Sequence, residues 1–343
     1  TSSPTVRISP GSKMREQEEI TQERGRFRPH DIEHPTRHFK NLLKRIPEFE
    51  LAPFRAADNL PSNPMLQTVV RKPLTATENR MPVGVVSNSY SLVQHRGAAK
   101  ICIDSLAQGH LNLFDLKCEL GLTPLGEYMV FRIYLPDEQG FAAKDGFPTS
   151  LRVELINSVD GSHRLVLFFS WLRLACLNGM MIRETKTEVR ELHNDRLDMG
   201  KVSDGIRRGL KVAAEDVKKL REWEETNLDL DKFRMWVDKE LSKAWGKKAA
   251  SRVFHIAIQG IDTEWTDPFE GGNATEKSVR FVADVPGANA PAKNFYSLLQ
   301  ALTWVATRRT DVEERLDWQT QVPALMKSLR KQAQAVKQWG ARH

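Results

Sequence analysis

Residues 151–174 read LRVELINSVDGSHRLVLFFSWLRL, with two β-prone runs, Leu151 to Ile156 and Arg164 to Leu174, on either side of Asp160-Gly161. Asp-Gly tolerates the positive φ angles of a tight turn, so this stretch predicts a β-hairpin. Asn157, Ser158, Asp160 and Ser162 are residue types whose side chains hydrogen-bond a turn backbone. Working outward, the periodicities predict strands Met65 to Arg71 and Val83 to Val93, a helix Arg96 to Ala107, and strands Leu111 to Leu120 and Glu127 to Leu135. Beyond the hairpin the period changes to that of helices, over Val202 to Glu225 and Leu230 to Lys247. A Gly-, Pro- and Asp-rich stretch from Glu264 to Pro291 reads as loop, and Ala292 to Arg308 and Val312 to Trp339 return to helix. The order predicts an α+β fold: a curved antiparallel sheet with a backing helix, then a helical C-terminal half.

The chain divides by composition into residues 1–60, 61–200 and 201–343. The first 39 residues combine Thr, Ser, Pro, Gly and charges of both signs with few periodic apolar residues, the pattern of a flexible arm. Residues 41–60, broken by Pro47 and Pro53, are expected to dock on the core as irregular structure or a short helix. A sheet-rich core and a helical region follow. With 343 residues, 40% of them hydrophobic, the chain is long enough for a substantial core.

The net charge of +7 favours polyanionic partners such as nucleic acid. Cys102, Cys118 and Cys176 lack metal-ligand spacing and are expected to be reduced core thiols, which fits a cytoplasmic protein. No apolar run reaches membrane-spanning length, and the N-terminus lacks the hydrophobic stretch of a secretion signal. His30, His34 and His38 recur every four residues, but Pro35 interrupts the helix that would align them, so their spacing reads as chance. No metal or other cofactor is expected.

In Glu127 to Leu135, alternation puts Tyr128, Val130, Arg132 and Tyr134 on one side of a strand. An arginine between two tyrosines suits single-stranded nucleic acid, the cation meeting phosphate and the rings stacking on bases. The competing reading is an ordinary strand whose tyrosines cover a loop or helix. Arg152, Arg164 and Arg173 bracket the hairpin and extend this into a basic stripe if the strands are neighbours; otherwise Arg173 pairs with a buried carboxylate such as Glu154. Asp160, His163 and Glu154 are residue types that a metal-dependent nuclease uses, yet no evident cluster or catalytic motif gathers them. Lys327, Arg330, Lys331, Lys337 and Arg342 give the last helix a cationic side opposite Val322, Leu325, Met326 and Leu329.

Asn157-Ser-x-Asp-Gly-Ser162, a strand, then Arg173-x-x-Cys-x-Asn178 resembles the phage, plasmid and bacterial proteins grouped as domain of unknown function 932. The segment from Val83 to Gln94 resembles the opening of that family's core, and Asn294 to Thr303 its late Asn-x-x-x-x-x-x-Ala-x-Thr helix. The layout also resembles, in topology alone, the Red-beta and Rad type of single-strand annealing proteins, which implies a sheet-and-helix core that oligomerises and holds DNA in a basic groove. The resulting expectation is a non-enzymatic protein of a phage or plasmid that binds single strands, DNA in preference to RNA, as a homo-oligomer, and that anneals complements. Its site would comprise Tyr128, Arg132, Tyr134, Arg152, Arg164 and Arg173. The alternatives are a protein-interaction or counter-defence component of a mobile element, and a metal-dependent nuclease.

Overall fold

The computed structural model describes residues 41–113, 116–136, 140–173, 178–180, 189–194, 196–265, 279–309 and 312–340. The expectations for His30, His34, His38 and Cys176, and for Arg342, fall outside them. After a helical turn over 41–45, β1 (Phe49–Pro53), β2 (Leu66–Arg71) and β3 (Met81–Ser87) form an antiparallel sheet in that order. The helical turn agrees with the short helix allowed for residues 41–60, whereas the strand β1 was not expected there. Phe49 and Leu51 alternate with Glu50 and Ala52, and Pro53 sits at the end of an edge strand, where its missing N–H costs no ladder bond. The strand expected over Val83 to Val93 stops at Ser87 in a turn closed by Tyr90 N–H donating to Ser87 O.

Helix α1 (His95–Gln108) leads into the large sheet: β4 (Lys117–Leu122), β5 (Tyr128–Tyr134), β6 (Phe141–Ala142), β7 (Pro148–Ser158), β8 (Leu165–Arg173), β9 (Asn178–Met180) and β10 (Val189–Glu191). Its order is β10-β8-β7-β5-β4, all antiparallel, with β6 on β7 and β9 on β8. The long hairpin of β7 and β8 forms the centre. Then come α2 (Gly200–Glu225), α3 (Leu230–Trp236), a π-helical turn Val237–Leu241, α4 (Ser242–Trp245) and α5 (Lys247–Gln259). A two-stranded ribbon, β11 (Ile261–Trp265) with β12 (Val279–Asp284), corrects the expectation of loop from Glu264 to Pro291. Helices α6 (Phe295–Thr307) and α7 (Val312–Gly340) close the chain, so the fold is α+β with a helical C-terminal half.

One face of the large sheet carries Phe131, Val153, Leu155, Leu167, Phe169 and Trp171, and α1 and α2 pack against it. The approach of α2 is close: a side chain at Gly209 would run into the Phe169 ring. Helix α6 is buried along its length from Phe295 to Ala306, which explains its nearly continuous apolar sequence. One connected core runs from Leu42 to Leu329, so the sheet-rich and helical regions share their interior. Cys102 and Cys118 are free thiols within it, and burial pushes the Cys102 thiol up to about 12.

Candidate functional site

The second face of the large sheet carries the residues expected to hold single strands. Cross-strand register sets Tyr128 opposite Ser158, Val130 opposite Ile156, Arg132 opposite Glu154 and Tyr134 opposite Arg152. Tyr128, Arg132, Tyr134 and Arg152 therefore share one face, as alternation predicts. That face is closed. Tyr128, Arg132 and Arg152 are 4%, 4% and 5% exposed, and only Tyr134 is half-buried. Leu316 of α7 packs into an apolar cluster with Tyr128, Val130, Ile156, Val166 and Phe168, and Arg190 beside them pairs with Asp317.

The arginines hold a carboxylate in place of a phosphate. Arg132 Nε donates to Glu154 Oε2 at 2.7 Å, and Arg152 and the Ser170 hydroxyl donate to Glu154 Oε1. Burial alone would raise the Glu154 carboxyl, but the Arg152 and Arg132 charges outweigh it and hold the group at about 2. Glu119 lies 3.9 Å from Arg132 as a second counter-charge. The structure thus corrects the expected groove: desolvating two guanidiniums is tolerable here because a carboxylate and a hydroxyl occupy their donors. Glu154, so engaged, is also removed from the set of candidate nuclease carboxylates.

Arg173 departs from the stripe by parity. It pairs in register with Thr149 and so points to the opposite face from Arg152. There it is 1% exposed, donates to Asp145 Oδ2 at 2.6 Å and stacks over Phe147. The buried ion pair expected for Arg173 exists, with Asp145 in place of Glu154. Arg164 alone among the expected arginines is exposed, in the loop between β7 and β8.

That loop runs from residue 159 to 164, wider than a two-residue turn. The Ser158 hydroxyl donates to His163 O and accepts from His163 N–H, and Asp160 Oδ1 accepts from both Ser162 N–H and Ser162 Oγ. Gly161 has φ +80°, the backbone conformation that the Asp-Gly pair foretold. The loop docks on the small sheet: a Cβ at Gly84 of β3 would lie 2.7 Å from that of Asp160, and the Tyr90 hydroxyl donates to Ser158 O. Asn157 Nδ2 donates to Val93 O and to His95 Nδ1, while His95 Nε2 reaches Gly126 O. His193 stacks on Tyr90 with ring centroids 5.2 Å apart. Burial lowers both histidines from their ordinary value, His95 to about 4.

The exposed charge lies elsewhere. On α2, Arg207, Arg208, Lys211 and Lys218 face solvent, and Lys219 lies over Trp223. Arg207 pairs with Asp204, and Glu222 is taken by Arg330 of α7 at 2.5 Å. Arg330 thereby sets the exposed Lys327 and Lys331 of α7 beside the end of α2. Among the described residues no group of histidine, cysteine and carboxylate side chains is arranged to hold a metal ion. No helix among them is long and apolar enough to cross a membrane.

The family model described as Domain of unknown function (DUF932) matches residues 82–333. The chain belongs to this family. No curated protein and no solved structure matches it. In this DUF932 protein the matched region opens inside β3 and takes in the loop, the ionic cluster and α2. The motif residues that suggested the family have structural contacts: Asn157 ties the large sheet to the start of α1, Tyr90 ties it to the turn after β3, Arg173 anchors Asp145, and Asn294 caps α6 by accepting from Ser297 N–H. The sequence pattern assigned Val202 to Glu225 to a helix, without a role for its cations. Their spacing of three, four and seven residues was the available signal.

Proposed function

We propose that this DUF932 protein binds nucleic acid without catalysis, gripping single strands, DNA before RNA, by their phosphates along α2. The observation that carries this reading is the charge of the α2 surface. Between Arg207 and Lys219 five cations stand against Glu215 on the exposed side, and the surface continues to Lys327 and Lys331. At 1.5 Å per residue that stretch of helix spans about 18 Å, room for several phosphates. With its tyrosines and arginines engaged internally, the sheet supplies no stacking platform, so this binding is indifferent to sequence and steeply dependent on salt.

Fluorescence anisotropy with labelled single strands across a salt series tests the reading. The expected result is a linear fall of log affinity with log salt. Replacing Arg208, Lys211 and Lys218 together by glutamine should reduce the slope by about two, since each lost single-strand contact removes about 0.7. Absence of salt-sensitive binding, or a triple variant that binds like the parent, overturns the assignment to α2. The same cationic face would then suit an acidic protein, the interaction role expected of a mobile-element component. Annealing is the finer activity, tested by whether the protein accelerates pairing of complementary oligonucleotides without a nucleotide cofactor.

A further inference from the structure

We infer that the protein pairs with a second copy of itself through the outer edge of β3, joining two small sheets into one of six strands. Among the described residues, five of the eleven exposed large hydrophobic side chains lie in the segment that carries this sheet: Leu60, Met65, Leu74, Met81 and Val85. A concavity of about 740 Å³ opens on the sheet, lined by Pro53, Phe54, Pro82 and Val85 together with Arg55 and Asp58, whose charges cancel. The two edges of the sheet differ. At β1, the Gln94 side chain accepts from Phe49 N–H at 3.0 Å and donates to Phe49 O at 2.7 Å, occupying the backbone groups of that residue. Among the described residues, no strand pairs with the outer edge of β3. Such an edge is a template for another strand.

Charge selects the occupant. From residue 48 to 87, Glu48, Glu50, Asp58 and Glu78 balance Arg55, Arg71, Lys72 and Arg80, so this segment is neutral in a chain of net charge +7. Several of these charges are paired with each other, Arg71 with Glu78, Arg80 with Glu50 and Lys72 with Glu48. A surface without net charge repels no identical neighbour, while it offers little to a polyanion. Strand β3 reads MPVGVVS and contains no ionisable residue. A two-fold axis brings like residues face to face, and here no register sets like charges opposite one another. Pro82 lacks an N–H and the register shifts by one residue beside Val83, so the pairing is confined to Gly84–Ser87.

The test is the mass of the full chain by analytical ultracentrifugation over a range of concentrations, at low and high salt, with amide exchange read along β3. A dimer is expected that persists in high salt, with residues 84–87 more protected as concentration rises. Val85→Lys, at a position 47% exposed and so compatible with the monomer fold, should yield monomer at every concentration, with a melting temperature independent of concentration and equal to that of the parent at its most dilute. The glutamine variant of α2 should dimerise like the parent, which separates this inference from nucleic-acid binding. A parent protein that stays monomeric, or a Val85→Lys protein that still dimerises with β3 protected, overturns the proposal; the monomer result would leave the edge to an extended segment of another protein.

Discussion

Glu154 is the buried carboxylate on which two arginines of the large sheet converge. Its two oxygens receive Arg132, Arg152 and Ser170 from three adjacent strands, and all four residues are almost wholly buried. The net worth of such a cluster against a hydrophobic alternative is small, but removing Glu154 takes from two desolvated guanidiniums the carboxylate they share. Glu154→Ala should therefore destabilise the protein by about 3 to 5 kcal/mol, read as a shift in the urea midpoint. An unchanged midpoint would mean that water reaches the guanidiniums. Arg164→Ala, at an exposed loop position, serves as the control and should stay within about 0.5 kcal/mol.

At the scale of elements, α2 is placed by a single missing side chain. Gly209 lies where the helix crosses β8, and any Cβ there meets the Phe169 ring. Gly209→Ala gains helix propensity of about 1 kcal/mol yet forces the helix off the sheet, so the steric term should win with a net loss of about 1 to 3 kcal/mol. Phe169→Leu in the same chain should recover part of that loss, because it removes the ring that the new methyl strikes. Thermal melts of the single and double variants decide it. A stabilised Gly209→Ala protein would show that α2 has slack against the sheet, and with it the basic face that the helix presents.

For the whole molecule, acid stability follows from the junction of the two sheets. His95 is fully buried and held near 4, against an ordinary value of 6.5, and His193 is shifted in the same direction. Below 6.5 the unfolded chain takes up protons that the folded chain refuses, so stability present above 6.5 is lost as pH falls from there towards 4. For His95 the loss is on the order of 3 kcal/mol when complete. Glu154 acts in a lower window: its depressed carboxyl contributes stability above its ordinary value of 4.5 that disappears as pH falls towards 2. Urea midpoints measured from pH 7.5 down to pH 5 should decline, and His95→Asn should flatten that decline, while Glu154 leaves this range unaffected. By itself the sequence determined what depends on near neighbours: the hairpin about Asp160-Gly161, the period-2 strands, the period-3.6 helices, the positive φ at Gly161 and, through its motifs, the family. Local alternation even placed Tyr128, Arg132 and Tyr134 on one face correctly. What covers that face is a matter of residues far along the chain, Leu316 among them, and only the tertiary structure decided that its arginines meet Glu154 and not a phosphate. The same holds for Gln94 on β1, Asp145 on Arg173 and His193 on Tyr90, contacts across 28 to 103 residues. Strand period fixes the side to which a residue points, whereas burial depends on which distant element packs there, and no local pattern encodes that choice.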